Sequence, residues 1–237
     1  MGLAAVASIA PKVPEDRFSD TMARLLDRID FRVANSDEQR KAIFRLRYQA
    51  YLRDGMISPD PSEAFSDAYD EIGNVYLLGG YINGELASSI RLHVASSKHP
   101  EFPSFEAFAD ILQPELDAGK VVIDATRFAA DEKYSRLHRG LPYATLRLGM
   151  LAARNFGADL LLAAVGAEQR LFYERSLDYR LISDPRPYPL LAKPISLMTL
   201  HYKTAADRLN RRYAFLRSTM SERRMLFAQP MAGLLAT

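Results

Sequence analysis

Two ionisable residues of opposite sign, Asp124 and Arg127, stand three apart in the segment KVVIDATRFAA, residues 120–130. An aspartate can take a proton or hold an ammonium group, and an arginine can grip a carboxylate with two parallel hydrogen bonds. Val121, Val122 and Ile123 form a β-branched run that favours a strand, which Phe128 closes. Side chains alternate along a strand, so an odd separation sends the pair to opposite faces unless a bulge lies between them. Bulges gather beside active sites. The alternative is a solvated ion pair at a strand end. Further candidates are scattered along the chain. Arg91 lies inside SSIRLHV, where a charge must face solvent or a polar cavity. Asp67 and Asp70 end an acidic stretch, Arg45, Arg47 and Arg53 share a helix, and Tyr173 lies in EQRLFYERSL. Arg136, His138 and Arg139 precede another helix.

The elements that must position these residues follow from periodicity. Residues 16–30 carry Phe18, Met22, Leu25, Leu26 and Ile29 at helical spacing, and 31–34 form a short strand. Asn35 and Ser36 ahead of Asp37 and Glu38 start a helix that runs to Asp54 and stops at Gly55. Residues 57–70, with two prolines and no period, form a loop with one helical turn. Loops of that length in a compact domain are often lids. The Asn83-Gly84 pair joins strands at 74–82 and 85–94 into a hairpin. A short helix at 104–112 leads to the strand of Asp124. A helix at 141–156, opened by Pro142 and ended by Gly157, follows, then a buried strand at 160–165 and a helix at 168–177. Strands at 180–183 and 195–202 complete the alternation. The tail, 204–227, is helical and rich in arginine, with an apolar stripe of Leu209, Tyr213, Leu216, Met220 and Leu226. Docking on the body is its default, with a dimer partner, an acidic partner or a peripheral membrane contact as alternatives.

Composition narrows the function. The chain has 237 residues, 48% of them hydrophobic and 25% charged, which suits one sizeable core. A net charge of +2 gives no general nucleic-acid footprint. The absence of cysteine excludes disulfides, thiolate metal sites and a cysteine nucleophile. His93, His99, His138 and His201 show no ligand spacing, so no metal is expected. The first ten residues are apolar without a basic start and run into Pro11 and Pro14, which fits neither a secretory signal nor a membrane span. A cytoplasmic protein is the expectation.

An order of strand, helix, loop, hairpin, strand, helix, strand, helix and strands gives an α/β (α+β) chain with a mixed central sheet flanked by helices. That order resembles the Gcn5-related N-acetyltransferase (GNAT) fold. Arg47 with Tyr51, Asp67 with Asp70, Arg91-Leu92 and Asp124-x-x-Arg127-Phe128 come in the order of the signature of acyl-homoserine-lactone (autoinducer) synthases. Here Asp124 and Thr126 replace that signature's glutamate and serine, and the tryptophan usual after the first helix is missing. The chain looks more like the long-chain N-acyl amino acid synthases, which use the same fold. On this resemblance, residues 1–30 are an accessory N-terminal helix, 31–202 the acyltransferase domain and 203–237 a basic helical tail.

The resemblance implies transfer of a fatty acyl group from acyl carrier protein to the α-amine of a free amino acid. No cofactor is held, and the phosphopantetheine thioester is a co-substrate. Asp124 is then the base, directly or through water, with Arg127 beside it and Tyr173 as proton donor to the leaving thiolate. Arg91 and Arg127, with Arg47 as an alternative, hold the acceptor's carboxylate. Asp67 and Asp70 either face its ammonium or pair with Arg47 and Arg91. Arg136, Arg139 and Phe128 serve the acyl donor, which enters near the helix at Leu141. An apolar tunnel for the chain draws on Leu146, Met150, Phe105, Phe108 and Leu162. The alternatives are an autoinducer synthase using S-adenosylmethionine and a non-catalytic binding protein of the same fold.

Overall fold

The computed structural model describes residues 15–188 and 190–228; the apolar start and residues 229–237 lie outside it. Helix α1 (Glu15–Leu26) leads into strand β1 (Ile29–Val33) and helix α2 (Asp37–Arg53). Ser36 caps α2 through Gln39, whose side chain returns to the cap backbone. After the loop and a 3-10 turn (Ala68–Asp70) come β2 (Val75–Ile82) and β3 (Glu85–Ala95). Asn83 and Gly84 both take positive φ, 52° and 82°, as a two-residue hairpin turn requires. Helix α3 (Pro103–Asp117), β4 (Val122–Ala130), α4 (Glu132–Leu137), α5 (Leu141–Phe156) and β5 (Leu160–Val165) follow. The chain ends with α6 (Arg170–Leu177), β6 (Arg180–Leu181), β7 (Ser196–His201), α7 (Tyr202–Arg212), a 3-10 turn (Ala214–Leu216) and α8 (Met220–Phe227).

Four elements depart from the sequence reading. The first helix stops at Leu26, with Ile29 and Asp30 in β1, and the tail is two helices around a 3-10 turn. Helix α3 runs past Leu112 to Asp117 despite Pro114, after a bend at Phe108 (φ −133°, ψ 30°). Phe108, Leu112 and Leu116 continue one buried stripe through the proline. The short α4 was not expected; Asp131 caps it by accepting from Tyr134 N at 3.1 Å.

The strands form one mixed sheet in the order β1-β2-β3-β4-β5-β7-β6. Only β4 and β5 run parallel, and their pairing ends at Ala125–Ala163. From Thr126 onward β4 leaves β5 and opens a splay. Alternation along the strands sorts the core. Ile90, Leu92, Ile123 and Leu161 pack with α1, α5, α6 and the tail. Ala95, Val122, Leu160 and Leu162 pack with α3 on the opposite face.

The basic tail docks on the body. Arg147, on α5 and 5% exposed, donates through Nε to Phe215 O (2.6 Å), through Nη2 to Arg217 O (2.6 Å) and through Nη1 to Glu222 Oε1 (2.6 Å). Phe215 meets Phe18 and Tyr143 edge to face, while Phe227 covers Tyr76 and Phe156. Among the described residues no helix is long and apolar enough to cross a membrane. Removing the guanidinium strands two carbonyls and one carboxylate. Arg147→Ala should therefore cost about 3–5 kcal/mol in urea unfolding, with the loss of tail contacts read by faster cleavage near Arg217.

Candidate active site

The register of β3 against β4 slips between Ser89–Ala129 and Arg91–Thr126, so two residues of β4 stand opposite one of β3. Arg127 lies in that bulge at φ +53°, in the left-handed region that a non-glycine residue enters only under constraint. The bulge returns Phe128 to the core face, where it is buried, and leaves Arg127 on the side of Asp124. Of the arrangements the odd spacing left open, the structure has the bulge.

Around Arg127 the fold collects charge. Asp67 Oδ2 accepts from Arg127 Nη2 (2.7 Å) and Nε (3.2 Å), and its Oδ1 accepts from Arg91 Nη1 (2.5 Å). Asp70 Oδ1 takes Arg47 Nη1 at 2.8 Å and Arg91 Nη1 at 3.0 Å. Arg91 Nε reaches Thr126 Oγ1 at 3.1 Å. Arg47, Arg91 and Asp70 are almost wholly buried. The two aspartates also cap the 3-10 turn reciprocally, Asp67 accepting from Tyr69 N and Asp70 from Asp67 N. Of the two expected roles for Asp67 and Asp70, the structure has them paired with the arginines. The loop before them is pinned too, through Phe65 N to Phe44 O (3.0 Å) and Asp60 N to Tyr48 Oη (3.1 Å).

Electrostatics follow from this packing. Burial raises the Asp67 carboxyl, but hydrogen bonds and charge from Arg91 and Arg127 outweigh it and hold the pKa at about 2. Burial lowers Arg47 to about 10, against the pull of Asp70. His93, buried beside Arg91, is pushed by burial to about 3, so it is neutral. Burial raises Asp124, opposed by Ser104 and by the charges of Arg91 and Arg127. Asp124 accepts from Ser104 N (3.0 Å) and Ser104 Oγ (2.7 Å), which tethers the first turn of α3 to β4. It therefore has a structural duty as well as a place in the site.

A cavity of about 190 Å3 opens beside this cluster, lined by Asp67, Ala68, Tyr69, Pro103, Glu106, Arg127, Tyr188 and Leu190. A larger groove of about 590 Å3 adjoins it through Ala68, Tyr69 and Glu106 and is floored by Phe102, Phe105 and Leu116. Tyr173 is buried on α6 against Tyr179 (ring centroids 5.2 Å apart), and it senses Tyr51, whose ring lies 5.9 Å from the Arg127 guanidinium. Arg136 and Arg139 stand apart from this cluster, exposed around a third cavity with Arg24, Arg28 and the 65% exposed Leu137. The expected tunnel residues divide between the two faces of the sheet, Leu146 and Met150 on one, Phe105, Phe108 and Leu162 on the other. Any channel touching both sets has to pass through the splay between β4 and β5. Among the described residues no group of histidine and acid side chains could hold a metal ion.

The N-acyl amino acid synthase FeeM family model matches residues 42–201. Solved structures share the fold. FeeM, an N-acyl amino acid synthase from uncultured soil microbes, superposes with a TM-score of 0.63 at 19% identity, over 74% of this chain and 92% of its own. BjaI, a CoA-dependent acyl-homoserine lactone synthase, gives 0.54 at 13% identity, over 78% and 88%. An acyl-CoA N-acyltransferase from Pseudomonas aeruginosa gives 0.50 at 16%, over 72% and 97%. At these identities the likeness concerns the fold, which is the GNAT-like fold expected from the order of elements. No curated protein matches the chain by sequence.

The depressed pKa of His93 sets an acid limit. Its imidazole takes up a proton near pH 6.5 once unfolded but only near pH 3 when folded, so stability is full above 6.5 and falls as pH drops towards 3. Asp67, at about 2 against 3.8, adds a second loss below pH 4. Urea unfolding between pH 7 and 4 should show a slope of about 1.4 kcal/mol per pH unit below 6.5, and His93→Gln should flatten it.

Proposed function

The chain belongs to the N-acyl amino acid synthase FeeM family, and we propose that it joins a long-chain fatty acyl group, carried on acyl carrier protein, to the α-amine of a free amino acid. The observation that carries this reading is the position of Arg127, a cation held on the wall of a small cavity, next to a buried carboxylate and at the mouth of the splay.

The acceptor's carboxylate binds at Arg127, with Arg91 and Arg47 behind it. Among the described residues, Arg91 Nη2 and Arg47 Nε and Nη2 are buried with no hydrogen-bond partner, so this centre holds unspent donor capacity for an anion. Asp124, raised by burial, is a better base than an ordinary aspartate and draws the proton from the ammonium. The freed amine attacks the thioester carbonyl. The backbone of β4 beyond Ala125, unpaired with β5, supplies N–H donors to the oxyanion. The C–S bond then breaks. Tyr173, whose hydroxyl burial keeps protonated, donates to the departing thiolate. The four arginines around Leu137 meet the acidic surface of the carrier protein and guide the phosphopantetheine arm towards the splay.

The test uses the purified protein with acyl carrier protein thioesters of several chain lengths, matched coenzyme A thioesters, the twenty amino acids and S-adenosylmethionine, read by mass spectrometry. The expected product is an N-acyl amino acid from the carrier-protein donor. Acyl-homoserine lactone as the product would overturn the acceptor assignment. Equal turnover of the coenzyme A donor would overturn the donor assignment.

A further inference from the structure

Tyr188 lies in the segment SDPRPYP between β6 and β7, and nothing in the family likeness singles it out. It is 6% exposed and lines the small cavity together with Arg127. Its hydroxyl is buried and makes, among the described residues, no hydrogen bond of normal geometry, only a weak approach to Ser104. A buried hydroxyl left unpaired costs about 1–3 kcal/mol, so it needs an explanation. Tyr188 has company on every side. Asp124 and Arg127 face it from β4, Arg91 from β3, and Ser104 and Glu106 from α3. Asp67 and Tyr69 face it from the 3-10 turn. Of the charged groups, Asp124 acts on its hydroxyl most strongly. Ser104 already donates to Asp124 Oδ1 at 2.7 Å and adjoins the tyrosine.

We propose that Tyr188 is a catalytic residue, its hydroxyl linking the acceptor's ammonium in the cavity to Asp124 through the Ser104 hydroxyl. The inference rests on the amino-acid acceptor reading above. In the step, an N–H proton of the ammonium passes to Tyr188 Oη as the tyrosine's own proton passes to Ser104 Oγ. The Ser104 proton moves in turn to Asp124. The N–H electron pair stays on nitrogen and forms the new C–N bond as the C–S pair leaves with sulfur. The thiolate takes its proton from Tyr173, which the second N–H proton restores, and the proton on Asp124 is released to water when product departs. Asp124, capped by Ser104 and buried, thus acts at a distance from the nitrogen. Tyr188 itself remains neutral before and after.

The test is Tyr188→Phe, assayed for acceptor kcat/KM from pH 6 to 9 alongside its melting temperature. Without the relay only amine already neutral in solution reacts. Activity at pH 7 should fall about 100-fold, and the deficit should shrink about tenfold for each pH unit towards the pKa of the amine. The melting temperature should be unchanged or higher, since the lost hydroxyl makes only a weak contact with Ser104. A pH profile parallel to that of the parent, or full activity at pH 7, would overturn the proposal. A clearly destabilised variant would also overturn it, by showing that the hydroxyl serves the fold and not the acceptor. If the parent makes no N-acyl amino acid at any pH, the acceptor reading itself fails. That result is distinct from a parallel profile.

Discussion

Asp67 accepts hydrogen bonds from Arg91 through one oxygen and from Arg127 through the other, and the arrangement of the site depends on that bridge. It ties β3 to the bulge of β4 and fastens both to the end of the long loop. Burying three guanidiniums with two carboxylates is a poor route to stability, because each ion gives up several kcal/mol of hydration. Such a cluster does impose geometry. Arg127 can stay at φ +53° only because Asp67 grips two of its nitrogens and Phe65 stacks on the guanidinium at 4.4 Å. Three arginines face Asp67, Asp70 and the neighbouring Asp124, and among the described residues donors on Arg47 and Arg91 have no hydrogen-bond partner. Buried guanidiniums with free donors are suited to an anion, and the proposed amino acid acceptor brings one.

Much of this was legible in sequence. The β-branched run, the Asn83-Gly84 turn and the Pro142 and Gly157 boundaries mark local backbone preferences strong enough to survive tertiary packing. The odd spacing of Asp124 and Arg127 left opposite faces, a bulge or a solvated ion pair open, and the register slip shows the bulge. What escaped reading depends on contacts distant in sequence. Nothing around Ser104 signals that it meets Asp124 twenty residues on, and Tyr188 sits among prolines with no period. Pro114 hid the second half of α3, because its helical continuation rests on burial of Leu112 and Leu116, not on propensity. Arg147 looked like one more helix arginine, yet it is buried and fastens the tail.

The chemistry then divides between the two faces of the sheet. On the side of α3 lie the ionic cluster, Asp124 and the cavity. On the other, α5 and the tail build the larger core. The splay between β4 and β5 is where the two sides communicate, and an acyl thioester placed there would present its carbonyl to an acceptor held at Arg127. On the proposed function, Arg127 recognises the acceptor by its carboxylate. The direct measurement compares acylation of an amino acid substrate with that of the amine bearing the same side chain but no carboxylate. The account predicts that the amine reacts about 100-fold more slowly at equal concentration, the worth of one charge-assisted contact. Equal rates would contradict it.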